Sequence, residues 1–580
     1  MKVLITFCFL FSLLAGCEQE QNTKIDSNEK TVVNPSPVSL YFGGDILTMA
    51  GDKPAYVEAL VAQDGRITFT GTYDQAVAMA GATATAVDLK GKTLLPGFID
   101  AHGHVYLAGI QRLTTNLLPP PDGEGDSIDA LVSLLKDFQK ANPQVVKNSG
   151  WIAGFGYDDS QLKEKRHPTA DDLDQVSTEY PVLIIHQSGH LASMNHKALE
   201  MVGYNANTQD PVGGLIRREA DGKTPNGVLE EMGFFQALLP LMAALGEDSQ
   251  QRIALAGAEA YAEFGFTTAQ DGRASKAAVE MYRKLAAQNK LKIDVASYPD
   301  LQSEAEYIKS IGVERDYRNH FRVAGVKLSF DGSPQGKTAW LTQPYKVPPA
   351  GRSEDYAGYP AIPEAATRQR LVDMAFENDW QVLIHCNGDA ASEAMIEAME
   401  KSAEKYGNDD RRNVMIHAQT VREDQLDRMQ SLGIVPSFFS MHPFYWGDWH
   451  QDETLGPERA SRISPTGSAL RRGMIFTTHH DAPVALPSAI MVLHITVNRL
   501  TRSGQVLGPD QRVDPYVALQ SLTSWAAWQY FEEESKGTLE AGKLADFVIL
   551  DNNPLKVDPA TILNISVVET IKEGKTVYAM

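Results

Sequence analysis

The chain has 580 residues, 43% of them hydrophobic, with 53 basic against 74 acidic side chains and a net charge of −21. That length exceeds a single compact core and points to two or more domains, and the acidic balance excludes a nucleic-acid backbone as partner. The chain opens on Met1-Lys2 and an apolar run from Val3 to Gly16, too short to span a bilayer and long enough for a secretory signal.

That run closes on Leu14-Ala15-Gly16-Cys17, which resembles a bacterial lipobox, so residues 1–17 are read as a lipoprotein signal with the lipid on Cys17. An ordinary secretory signal cut elsewhere is the competing reading. Glu18 after the cysteine resembles outer-membrane sorting in a Gram-negative cell, with the protein facing the periplasm. Residues 18–36 are polar, charged and free of aromatics, which fits a flexible tether. With Cys8 removed and Cys17 acylated, Cys386 is the remaining cysteine and no disulfide forms.

From residue 37 to 95, short apolar runs alternate with Gly- and Asp-containing turns, and the same pattern returns over residues 530–580. Both ends are therefore expected to build one composite β-sandwich. Residues 96–529 alternate short apolar strands with amphipathic helical stretches, the pattern of a parallel sheet. Eight strands are expected, at 97–104, 266–271, 292–298, 322–330, 381–386, 413–418, 433–439 and 473–481. The expected fold is thus α/β, a (β/α)₈ TIM-like barrel, with catalytic groups at the C-terminal ends of its strands. Residues 105–263 are too long for an ordinary connection after the first strand and are read as a cap over the barrel mouth.

The strand ends carry the chemistry. His102 and His104 lie two residues apart, on one face of an extended strand, where both can hold one metal. Lys327 lies in the fourth strand, His385 and His417 end the fifth and sixth, and Asp481 ends the eighth. A barrel brings these ends together.

In this order the residues resemble the amidohydrolase superfamily, and more closely its branch of N-substituted formamide deformylases and related metal-dependent hydrolases. The resemblance rests on LLPGFIDAHGHV, on VKLSFDGS around Lys327, on LIHCNGDAA at His385, on IHAQTV at His417, on HDAPV at Asp481 and on GTLEAGKLADFVILD near the end. It implies that His102, His104, Lys327, His385, His417 and Asp481 are metal ligands, with Lys327 carboxylated to bridge two ions. It departs from the branch at His479-His480, where a serine is expected before the aspartate, and at Met441-His442-Pro443, where the branch carries Gln-Pro.

The implied cofactor is one or two divalent metals, zinc first, with iron or manganese as alternatives. Asp481 is assigned the proton transfer during hydrolysis of a C–N bond in an amide, formamide or cyclic amide. Glu230 is a rival carboxylate for the bridge, His190 a candidate substrate contact, and His479 and His480 are candidate donors to the developing oxyanion. Competing functions are a deaminase or a lactone or ester hydrolase at the same centre, and a non-catalytic binding lipoprotein. The partners expected are a small-molecule substrate and a membrane, through the lipid on Cys17; homo-oligomerisation is left open. No phosphate loop follows a strand, and no Gly-x-Ser-x-Gly elbow occurs.

Overall fold

A computed structural model describes residues 37–580 apart from 212, 245 and 350. The signal, Cys17 and the tether expected over residues 1–36 lie outside the described residues. Among those described, no helix is long and apolar enough to cross a membrane.

Both ends of the described chain share one eight-stranded sheet. Strands Phe547–Leu550, Val567–Lys572 and Lys575–Ala579 join Thr93–Pro96, Ser39–Leu47 and their neighbours, and Phe547–Leu550 pairs antiparallel to Thr93–Pro96. Tyr41, Ile46, Leu60, Phe547 and Ile549 form a core between residues from opposite ends of the sequence.

The α/β centre is TIM-barrel-like, and each of the eight expected strand positions contains a strand. One parallel sheet runs through β1 (Phe98–Ile99), β2 (Phe266–Ala274), β3 (Asp294–Pro299) and β4 (Phe321–Val323). The second runs through β5 (Val326–Ser329), β6 (Val382–Cys386), β7 (Val414–His417), β8 (Val435–Phe438) and β9 (Thr477–Thr478). A parallel bridge from Asp300 to Lys327 links the two. The expected strand 322–330 is thus broken into β4 and β5 at Ala324-Gly325. A Cβ on Gly325 would stand 2.5 Å from the Gln381 carbonyl oxygen and 2.7 Å from the Tyr298 ring, so the chain bends where only glycine fits.

Between β1 and β2 the chain forms a six-stranded sheet of its own, including Val182–His186, Leu191–Met194 and Pro225–Glu231. Helix Val105–Leu113 leaves directly after His104 and packs on helix Glu247–Glu263. The two approach through Gly109 and Gly257, where any Cβ would meet the backbone carbonyl of Ile253 or Val105 at 1.9 Å. That close crossing fixes the chain on either side of the His102-Gly103-His104 segment.

Candidate metal centre

The ladder register places the expected residues side by side. Ser329 pairs with His385, Cys386 with His417, and Phe438 with both His417 and Thr478, so successive strand ends meet in one layer. His102, His104, Lys327, His385, His417 and Asp481 come together there from positions nearly four hundred residues apart.

Each histidine has one nitrogen committed outside the cluster. His104 Nδ1 lies 2.6 Å from the Gly272 carbonyl, which can only accept, so the proton is on Nδ1 and the Nε2 lone pair faces inward. His102 Nδ1 lies 2.6 Å from Gln270 Oε1, and Gln270 is itself held by the Ala101 carbonyl at 3.0 Å and Tyr530 Oη at 2.5 Å. His385 Nε2 lies 3.1 Å from the Gly332 carbonyl, leaving Nδ1 free to face His417 Nε2 at 3.0 Å. Burial holds His385 and His417 well below the usual histidine range and brings His102 down to about 4, so all three are neutral imidazoles, the form that ligates metal.

Asp481 Oδ1 stands 3.3 Å from His102 Nε2 and 3.4 Å from His104 Nε2, yet it is buried without a properly formed hydrogen bond. These three groups offer ligand atoms within 4.8 Å of one another. Asp481 is buried, and its Oδ1 faces the Nε2 atoms of His102 and His104. A buried carboxylate oxygen with no donor, facing inward-directed lone pairs, is electrostatically incomplete and fits a cation. Asp481 and His417 adopt positive φ values of 56° and 71°, a conformation uncommon outside glycine that turns both side chains at the strand ends.

Lys327 is 2% exposed, and burial lowers its ammonium to about 7. Its Nζ lies 3.4 Å from His102 Nε2, and among the described residues no carboxylate comes within ion-pair distance. Asp331, the nearest carboxylate in sequence, instead accepts the backbone N–H groups of Trp340, Asn387 and Gly388 at 2.7–3.0 Å. The lysine is therefore buried without a counter-ion, and a neutral amine satisfies that environment.

Three expectations need correction. Glu230 does not approach the cluster: Arg217 Nε holds its Oε1 at 2.6 Å. Its neighbour Glu231 points the other way and lies 2.9 Å from His190 Nδ1, because adjacent strand residues face opposite sides. His190 reaches the edge of the cluster, its ring 6.3 Å from that of His385. His480 is turned away: its ring packs on Tyr261 and Phe266, its Nδ1 accepts from the Ala482 N–H at 2.9 Å, and its Nε2 lies 3.3 Å from Asp100. His479 faces the cluster, but both nitrogens are engaged, by His417 at 3.1 Å and Ser437 at 3.0 Å, so it cannot donate to an oxyanion.

Glu231, Gln270 and Tyr530 support the cluster without being expected there, and His479, expected as an oxyanion donor, supports it through His417 instead. His479 had a signal, since it stands two residues before Asp481; the other three had none. Because Glu231 orients His190 and Glu230 does not, Glu231→Gln is expected to lower turnover about 10-fold and Glu230→Gln to leave it near wild type. Steady-state kinetics of the two variants, with metal content as a control, tests this.

Comparison with known proteins agrees with this geometry. A model described as the amidohydrolase family matches residues 85–578. The N-substituted formamide deformylase of Arthrobacter pascens is 25% identical over 540 residues, covering 90% of this chain and 95% of that protein. Protein LONG AFTER FAR-RED 3 of Arabidopsis thaliana is 28% identical over 554 residues, covering 93% of this chain and 91% of its own length. An uncharacterized metal-dependent hydrolase from Pyrococcus horikoshii OT3 superposes with a TM-score of 0.71 at 26% identity, covering 90% of this chain and 99% of that one.

Proposed function

The chain belongs to the amidohydrolase family, and from that premise we propose that it is a metal-dependent hydrolase cleaving the C–N bond of an amide, formamide or cyclic amide. The observation that carries this reading is Asp481, whose buried Oδ1 lacks a donor while facing two imidazole nitrogens. The likeness to an N-substituted formamide deformylase over nine-tenths of the chain supports the same bond type.

In this reading His102, His104, Lys327, His385, His417 and Asp481 hold one or two divalent ions, zinc in the first instance, within a closed (β/α)₈ barrel capped by residues 105–263. Residues 37–95 and 530–580 supply the eight-stranded sheet that accompanies it. A divalent ion bound there would supply Lewis acidity and would lower the pKa of water toward about 7. Asp481 then orients the attacking water, accepts its proton and delivers that proton to the leaving nitrogen. Gln270 and Gly272 keep the His102 and His104 rings in the ligating tautomer throughout.

Lys327 is read as the bridging ligand. Its neutral amine adds to the carbon of carbon dioxide: a C–N bond forms, one C=O π pair moves onto oxygen, and an N–H proton passes to water, giving the carbamate anion. Lys327→Ala is accordingly expected to lose bound metal and activity together, with partial recovery of both on adding propionate. Metal analysis by mass spectrometry alongside turnover checks this, and full activity in the variant would remove Lys327 from the site.

The lipobox and tether support a cell-envelope location, anchored through Cys17 and facing the periplasm in a Gram-negative cell. Mass spectrometry of the membrane-extracted protein should find acyl chains on Cys17, and an unmodified cytosolic form would refute the location. The activity itself is tested with N-butylformamide, N-butylacetamide, a cyclic amide, γ-butyrolactone and an aminated heterocycle. Release of an alkylamine from the first two is expected, whereas ammonia release or lactone opening alone would contradict C–N amide cleavage.

A further inference from the structure

Beyond β8 the chain forms helix His442–Trp449 and then a single π turn, His450–Thr454. Such turns cluster at functional positions. This one brings His450 back onto His442, with His442 Nδ1 3.0 Å from His450 Nε2, and His450 Nδ1 2.7 Å from Thr454 Oγ1. His442 is 1% exposed, and His450 and Thr454 are fully buried.

The direction of this chain of bonds follows from the threonine. A buried hydroxyl proton needs an acceptor, and among the described residues the partner of Thr454 Oγ1 is His450 Nδ1. The hydroxyl therefore donates. Burial brings His450 down to about 3 and holds His442 well below the usual range, so each ring carries one proton. With Nδ1 of His450 accepting, its proton sits on Nε2 and is donated to His442 Nδ1. The proton of His442 then has one place left, Nε2, which forms no hydrogen bond among the described residues.

The ring connects to the cluster through Phe439 and His479. It packs edge-on against Phe439 at 4.7 Å and tilted against Trp446 at 4.7 Å. Phe439 stacks on His479 at 5.4 Å, and His479 touches His417. Trp446 donates its indole N–H to Asp158 at 2.8 Å, so the helix carrying His442 is fixed to the region between β1 and β2.

We propose that the Nε2–H of His442 is a substrate-binding donor, preset by the Thr454–His450 relay, that receives the carbonyl oxygen of the bound amide. It rests on the amide reading above. The arrangement suits an uncharged acceptor, since the donor is neutral and lies among aromatic rings.

Zinc-loaded protein labelled with ¹⁵N-histidine tests the relay without substrate, the His442 signals being assigned by their loss in His442→Gln. The Nε2–H tautomer is expected in wild type, a mixture with Nδ1–H in Thr454→Val, and recovery in Thr454→Ser. With N-butylformamide, His442→Phe should lose about 10- to 100-fold in kcat/KM at unchanged metal content, as for one lost hydrogen bond, and His442→Gln should lose less. Thr454→Val should raise KM, with Thr454→Ser restoring it. An Nδ1–H tautomer in wild type, or a His442→Phe variant within twofold of wild type, overturns the proposal. Failure of wild type on every amide sinks the amide reading, and the tautomer then decides the relay.

Discussion

Replacing Asp481 with asparagine is expected to lower kcat by about 10²- to 10⁴-fold without unfolding the protein. The magnitude is that of a positioned proton-transfer group, and the variant tests it cleanly because asparagine keeps the shape and accepts the positive φ of 56° at this position. What it loses is the charge. The carboxylate Oδ1 faces the Nε2 atoms of His102 and His104 and has no hydrogen-bond donor. Metal analysis beside the kinetics separates lost chemistry from lost ligation, and turnover retained at wild-type level would remove Asp481 from the mechanism.

The largest expected effect on stability lies at the other end of the strands. Asp294 opens β3 and accepts from Lys536 at 2.6 Å, Lys572 at 2.7 Å and His320 at 2.8 Å. Lys572 also pairs with Asp546, and Lys536 with Glu532, which meets Arg322. Three buried carboxylates thus balance three buried cations, tying the C-terminal strands to β3. Asp294→Asn leaves both lysines undercompensated, and a loss of about 3–5 kcal/mol is expected in urea unfolding.

The pH dependence has a definite sign. Burial raises the Asp294 carboxyl, but Lys536, Lys572 and His320 outweigh it and hold it well below its usual value. A carboxyl depressed on folding contributes stability above its unfolded pKa of about 3.9, and that contribution disappears as the pH falls through the folded value. Wild type should therefore lose its advantage over Asp294→Asn on acidification below about pH 4. A constant difference down to pH 2 would contradict the role given to Asp294.

The contrast between these two regions explains what could be read from sequence. The cluster was legible because each member ends an apolar strand, and parallel strands bring their ends together whatever their separation in the chain. His102 and His104 needed only the two-residue period. Register one residue finer was not legible. Glu230 and Glu231 are chemically alike, and only the pairing of Leu191 with Glu230 decides which turns toward His190. His479 and His480 present the same ambiguity, resolved only by the contacts that set His479 against His417 and Ser437 and His480 against Asp100. The Asp294 network gave no signal, because its members are charged residues dispersed from position 294 to 572 with no shared motif. The break between β4 and β5 was hidden as well, since RVAGVKLSF reads as one strand until Gln381 and Tyr298 are seen to crowd Gly325.

The central claim, that the six-residue cluster is a metal centre driving hydrolysis, is tested most directly by chelation and reconstitution of the purified protein. Activity on N-butylformamide should vanish as bound metal is removed and return in proportion to zinc added back, saturating at one or two ions per chain, and Asp481→Asn should not recover it. Metal-free protein that retains full turnover would contradict the account.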